Sequence, residues 1–170
     1  MTTLSSRVRT VSSAGTLAIL LLVLVFGNEA FVEWVHRHHS RQTAGDYLLN
    51  VLTYPNWEFF PDDQTDQSWR EWFAQDLRAI LVILLVAALL AVGSHSLLSR
   101  GTAGFGGFIF AWGATIIGAA AAGFIAAGVL IGVDNGSWLL RALQIAAVGA
   151  AYGLFFGWIV AAVASGARRG

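Results

Sequence analysis

The sequence predicts an all-α integral membrane protein with four transmembrane helices and a short exoplasmic helical and aromatic segment between the first and the second. Three observations carry that expectation. The chain has 170 residues, of which 56% are hydrophobic and 12% charged, and its mean hydropathy is +0.66, too apolar for a soluble domain of this size. Four apolar stretches, near 14–35, 77–99, 105–133 and 138–165, meet the length of roughly 20 helical residues that a bilayer core demands. The arginines, finally, are distributed asymmetrically. With the N-terminus inside, the cytoplasmic parts hold Arg7, Arg9, Arg100, Arg168 and Arg169 and no acid, a charge of +5. The opposite side then holds all ten acids against Arg37, Arg41, Arg70, Arg78 and Arg141, a charge of −5. That bias places both termini in the cytoplasm and residues 36–76 outside a plasma (inner) membrane.

The first span is the least pure. Residues 14–27 are apolar but few, so the helix is expected to continue through Asn28, Glu29, Phe31 and Val32 to complete a crossing. Arg7 and Arg9 ahead of a short apolar core have the form of a secretory signal, but no small-x-small pattern follows Phe26, which points to an uncleaved anchor.

In the segment 36–76, Thr43-Ala44-Gly45-Asp46 is a helix start, with the threonine accepting from the third amide and Leu48, Val51 and Leu52 forming one apolar face up to Pro55. The stretch YPNWEFFPDDQTDQSWREWF, residues 54–73, then packs seven aromatic rings and five carboxylates into twenty positions. Its second half opens the next span: Ser68-Trp69-Arg70-Glu71 is a capping box, and Trp69, Trp72, Phe73, Leu77 and Ile80 share a helical stripe. Its first half, 54–66, is a proline-bracketed loop. There Trp57, Phe59 and Phe60, with Asp62 and Asp63 beside them, have two readings. Either they dock a protein partner, aromatic anchors inside a carboxylate rim, or they fold back on the 48–52 face as a cap within the chain.

The third and fourth spans are glycine-rich. Gly149, Gly153 and Gly157 make two overlapping GxxxG repeats in the fourth, Gly128 and Gly132 make one in the third, and Gly118 and Gly123 add small-residue spacing with Ala119, Ala122 and Ala127. Close backbone approach at such positions is a principal means of holding helices together in lipid. A tight hairpin is expected, turned at Asp134-Asn135-Gly136-Ser137; a homo-oligomer is the rival use of the same surface.

Several chemistries are excluded outright. All ten basic residues are arginine, so a phosphate-loop lysine or a Schiff base is impossible, and with no cysteine there is no disulfide, thiol catalysis or cysteine-held metal. A net charge of zero without basic patches gives no footprint for nucleic acid. His36, His38 and His39 offer imidazoles beside Glu33 but lack a second ligand cluster, and the DDxxD spelling at 62–66 sits in a loop without a second acidic motif. Neither is expected to hold metal, no cofactor is implied, and no nucleophile, base and orienting group stand at a spacing suited to catalysis.

The candidate functional polar residues within the spans are Asn28, Glu29, Arg141 and Gln144, all in the outer third of their helices, where Glu29 and Arg141 could pair. No carboxylate lies at the midplane, where a proton-coupled carrier needs one.

In length, span count and arginine-only basic usage, the chain resembles the small four-helix membrane proteins of actinobacteria that often carry the label of drug/metabolite transporters. That resemblance implies a self-contained, homo-oligomeric small transporter. The small multidrug transporters carry a glutamate within the first span and very short loops, whereas here Glu29 and Glu33 lie toward the outer end and the segment 36–76 follows. The residues therefore favour an accessory or scaffold subunit of a larger cell-envelope membrane complex, such as a transport system for lipid or another apolar cargo. Its expected partners are membrane lipid and other membrane proteins.

Overall fold

The computed structural model describes residues 2–38, 43–58, 69–99, 105–131 and 137–167, with side chains from Ser12 onward and, in the helix ending at Ser99, as far as Gly93. Among these residues the fold is all-α: α1 (Thr2–Phe26), α2 (Glu29–His38), α3 (Ala44–Leu52), α4 (Trp69–Ser99), α5 (Phe105–Ile131) and α6 (Trp138–Gly166). Three helices are long and apolar enough to cross a membrane, namely the Trp69–Gly93 part of α4, α5 and α6; α1 contributes a shorter apolar stretch, Ser12–Phe26. The chain is a membrane protein.

Four rods form the bundle. α5 packs between α4 and α6, and α1 closes the ring by lying against both α4 and α6. Neighbours run antiparallel: Gly15 and Val23 of α1 lie beside Leu90 and Ala79 of α4, Val86 and Gly93 of α4 meet Gly118 and Phe110 of α5, and Gly149 and Gly157 of α6 meet Ala119 and Thr115 of α5. The bundle is apolar on its outside as well as its inside. Small residues such as Ala111, Ala114, Ala119, Ala122 and Ala161 fill the interior, while Leu17, Leu21, Leu84, Ile117, Leu140, Leu154 and Trp158 face outward. That is the arrangement expected when the solvent is hydrocarbon and association depends on close packing rather than on hiding apolar surface from water.

One boundary differs from expectation. The first helix does not run on to residue 35 but breaks at Gly27-Asn28, and a second helix starts at Glu29. The cause is a contact made from far along the chain. The Gly27 carbonyl accepts the amide of Trp57 at 2.9 Å, and a β-carbon on Gly27 would strike the Pro55 carbonyl. Asn28 then serves both helix ends, its Nδ2 donating to Val25 O at 2.5 Å and its Oδ1 accepting from Phe31 N at 2.9 Å. These bonds satisfy backbone groups that a helix break otherwise strands.

α3 starts at the expected place. Thr43 and Asp46 exchange both bonds of a capping box, Oγ1 of Thr43 accepting from the Asp46 amide at 3.1 Å. Val51 and Leu52 are buried against the bundle, while Leu48 remains exposed. α2 and α3 together thus lie over the end of the bundle where α1 stops and α4 begins, called the loop end below.

Candidate functional site

The residues 54–58 are tied into the loop end one after another. Tyr54 turns inward. Its hydroxyl donates to the Ala119 carbonyl at 3.1 Å, deep in the seam between α5 and α6, and its ring lies 6.1 Å from that of Tyr152. Space for it exists because Gly123 and Gly149 lack side chains: a β-carbon on Gly149 would sit 2.6 Å from the Tyr54 oxygen and one on Gly123 closer still. Asn56 donates to Gln75 Oε1 at 2.9 Å and accepts from the Arg78 guanidinium. Trp57 donates its indole N–H to Val23 O at 3.1 Å. The Glu58 amide donates to Asp76 Oδ1 at 3.0 Å, and its carbonyl accepts from Trp72 Nε1 at 2.9 Å.

Arg78 is the unusual member. Its guanidinium carbon stands 4.8 Å from the centre of the Tyr54 ring, a cation–π contact, yet its Nε is buried without a hydrogen-bond partner. No carboxylate pairs with it among the described residues. It lines a cavity of about 230 Å³ between α4, α5 and α6, with Glu71, Gln75, Ala126, Leu130 and Ile145 among the other walls. A second cleft of about 270 Å³, between α1 and α4, is bordered by Trp57, Glu58, Asp76 and Ile80.

Burial pushes the Tyr54 phenol from 10.0 up to about 12, with the Arg78 charge pulling the other way. Between those values the folded chain keeps a proton that the unfolded chain releases. The corresponding stability, on the order of 2 to 3 kcal/mol, is complete below pH 10 and is lost as pH rises toward 12. The melting temperature in detergent is therefore expected to fall across this window, and less steeply in Tyr54→Phe. An identical slope in both proteins would contradict the assignment.

The sequence-derived candidates divide as follows. Trp57 is half-buried and engaged within the chain, while Phe59, Phe60, Asp62 and Asp63 lie outside the described residues. Gly153 and Gly157 pack against the α5 backbone or Thr115, and Gly149 meets both α5 and Tyr54. Gly118 belongs to the other side of α5, where a β-carbon would stand 2.7 Å from Val86 of α4. It packs on α4 rather than α6 because α5, clasped on two sides, carries small residues on both. Gly128 opens on free space, and Gly132 lies outside the described residues.

Glu29, Arg141 and Gln144 are all exposed, and the expected pair between Glu29 and Arg141 is not made. The break at Gly27 detaches Glu29 from the axis of α1 and puts it on α2, which contacts α1 and α3. His36 is exposed, His38 Nδ1 lies 2.9 Å from Trp34 O, and Glu33 pairs with Arg37. His39 lies outside the described residues, among which no three metal-ligating side chains come together.

Sequence reasoning missed Tyr54 and Arg78 as organising residues. The one available signal was an arginine just inside an apolar helix, a placement costly enough to require a purpose. Comparison with protein-family models, curated proteins and solved structures finds no match to this chain.

Proposed function

We propose that the chain is an accessory or scaffold subunit of a larger cell-envelope membrane complex. In this reading it crosses the inner membrane four times, with both termini in the cytoplasm, and docks its partner on the exoplasmic side. The complex is of a kind that handles lipid or another apolar cargo.

The observation that carries this reading is the anchoring of residues 54–58. Glu58 is bound to Asp76 and Trp72 of α4, and Trp69, one turn before Trp72, opens the same helix. The aromatic and acidic segment 59–68 is thus joined at both ends to one fixed base, which reduces the ordering cost of binding a partner. The interior supports the same conclusion. Tyr152, Thr115, Val86 and Val160 are fully buried at its centre, a filling suited to a subunit that works at its surface and unsuited to an alternating site. For the fourth crossing, α1 is 25 residues long, about 37 Å, with Ile19 and Val23 buried against the bundle and Arg7 and Arg9 toward its far end.

The test is co-purification. Tagged chain extracted from native membranes in mild detergent is expected to retain a membrane-protein partner, and Phe59→Ala with Phe60→Ala is expected to lose it while remaining inserted and folded. True anchors contribute about 2 kcal/mol each, roughly thirtyfold in affinity. Trp57 is unsuitable for this purpose, because its truncation disturbs the internal bonds to Val23 and Gly27. Undiminished recovery of the same partner with the well-folded double variant contradicts the docking role.

A further inference from the structure

We infer that the cavity beside Arg78 is a binding site for the headgroup of a zwitterionic phospholipid, with the phosphate on Arg78 and the ammonium toward Glu71. This goes beyond the docking reading and requires only that α4 crosses the membrane with its loop end outward.

A buried guanidinium has five donors and a charge to satisfy. Asn56 takes one donor and the Tyr54 face takes part of the charge, while Nε has no partner and no carboxylate answers the cation among the described residues. Nε itself is closed off from the cavity, but an anion there supplies the missing counter-charge and takes the terminal N–H donors that Asn56 leaves. Phosphate suits it, because guanidinium presents a planar fork matched to two of its oxygens. Gln75 adds to the site: its amide oxygen already accepts from Asn56, so what it can offer an anion is its NH2 group.

The order of charges along α4 then selects the class of anion. Arg78 and Glu71 both line the cavity seven residues apart, about 10 Å along the axis, with the acid nearer the loop end. A phospholipid of the outer leaflet presents its groups in that sequence, apolar chains deepest, phosphate next and ammonium outermost. Arg78 stands where the apolar run of α4 begins, with Ala79, Ile80 and Leu81 following, which is phosphate depth. The volume also fits: about 230 Å³ lies below the roughly 300 Å³ at which sites for drug-sized ligands begin. The cavity therefore takes the headgroup, and the acyl chains stay in the bilayer beside the apolar Leu130 wall.

The full chain, purified in detergent and stripped of lipid, tests this by thermal shift with short-chain phosphatidylethanolamine, short-chain phosphatidylglycerol, O-phosphoethanolamine and inorganic phosphate. Phosphatidylethanolamine is expected to raise the melting temperature saturably, by about 5 °C or more, with a smaller effect of phosphatidylglycerol and little from the two soluble phosphates. Arg78→Gln should abolish the shift. Since Arg78 also steadies Asn56, the second variant is Glu71→Gln, which removes the charge while glutamine keeps the hydrogen-bonding reach that a capping position needs, and it is expected to leave the fold intact and to bring the two lipids to parity. Equal shifts from both lipids in the parent, or an unchanged preference in Glu71→Gln, overturn the zwitterion assignment. An undiminished shift in folded Arg78→Gln overturns the phosphate site, and soluble phosphates acting as strongly as lipid overturn the lipid as its source.

Discussion

Gly153→Leu is expected to lower the melting temperature of the detergent-solubilised chain by about 10 °C, reflecting a loss of about 3 kcal/mol or more. The reason is the nature of what lies opposite. A β-carbon at Gly153 would fall 2.7 Å from Ile116 N and closer still to Ile116 Cα, so it meets backbone, which cannot rotate aside. Relief requires α5 and α6 to part. That would also strain the bonds from Trp112 Nε1 to Gly153 O and Leu154 O at 3.2 and 3.0 Å, which pin the two helices at the same level. Gly128→Leu and Gly166→Leu are the controls, since nothing lies within 4 Å of a β-carbon at either position, and both should melt within about 2 °C of the parent. Equal melting of all four proteins would show that the seam is not a packing surface. A change confined to particle size would assign Gly153 to contacts between copies.

Tyr54→Ala carries the second large effect. Truncating a buried ring of this size costs about 3 to 5 kcal/mol, and here Tyr54 is only 5% exposed. It fills the opening between Gly123 and Gly149, offers its face to Arg78 and reaches the Ala119 carbonyl. Tyr54→Phe keeps everything except the last contact and should lose only about 1 kcal/mol. The two variants together separate the ring from its hydroxyl. A double-mutant cycle refines this further. Gly123→Ala forces a methyl against the Tyr54 oxygen, so it should be less harmful in the Tyr54→Phe background than in the parent. If the two changes simply add, the glycine is not making room for the hydroxyl.

What was legible in the sequence, and what was not, follows the range over which each feature is determined. α4, α5 and α6 are written locally, as long apolar runs, and their observed bounds fall close to those runs apart from the earlier start of α4 at Trp69. The start of α3 is equally local, a threonine and an aspartate three residues apart. The break in the first helix is not. Gly27-Asn28 has the composition of a helix stop, but only the approach of Pro55 and Trp57 decides it, and that pairing joins residues about thirty positions apart. The glycine pattern announced close packing without saying against what. Gly118 meets α4, while Gly123 and Gly149 make room for a tyrosine carried by the loop. Trp57 showed the same ambiguity, since a ring in a polar loop reads alike whether it meets a partner or its own chain.

The most direct measurement of the central account is the side of the membrane on which the first helix begins. The chain has no cysteine, so Ser5→Cys and Ala44→Cys can be probed singly in intact cells with an impermeant thiol reagent, Ala44 being exposed at the first turn of α3. Four crossings with the loop end outward predict labelling of Ala44→Cys and protection of Ser5→Cys until the membrane is breached. Labelling of both would mean that α1 does not cross and that three helices span, and labelling of Ser5→Cys alone would reverse the orientation; either result contradicts the account.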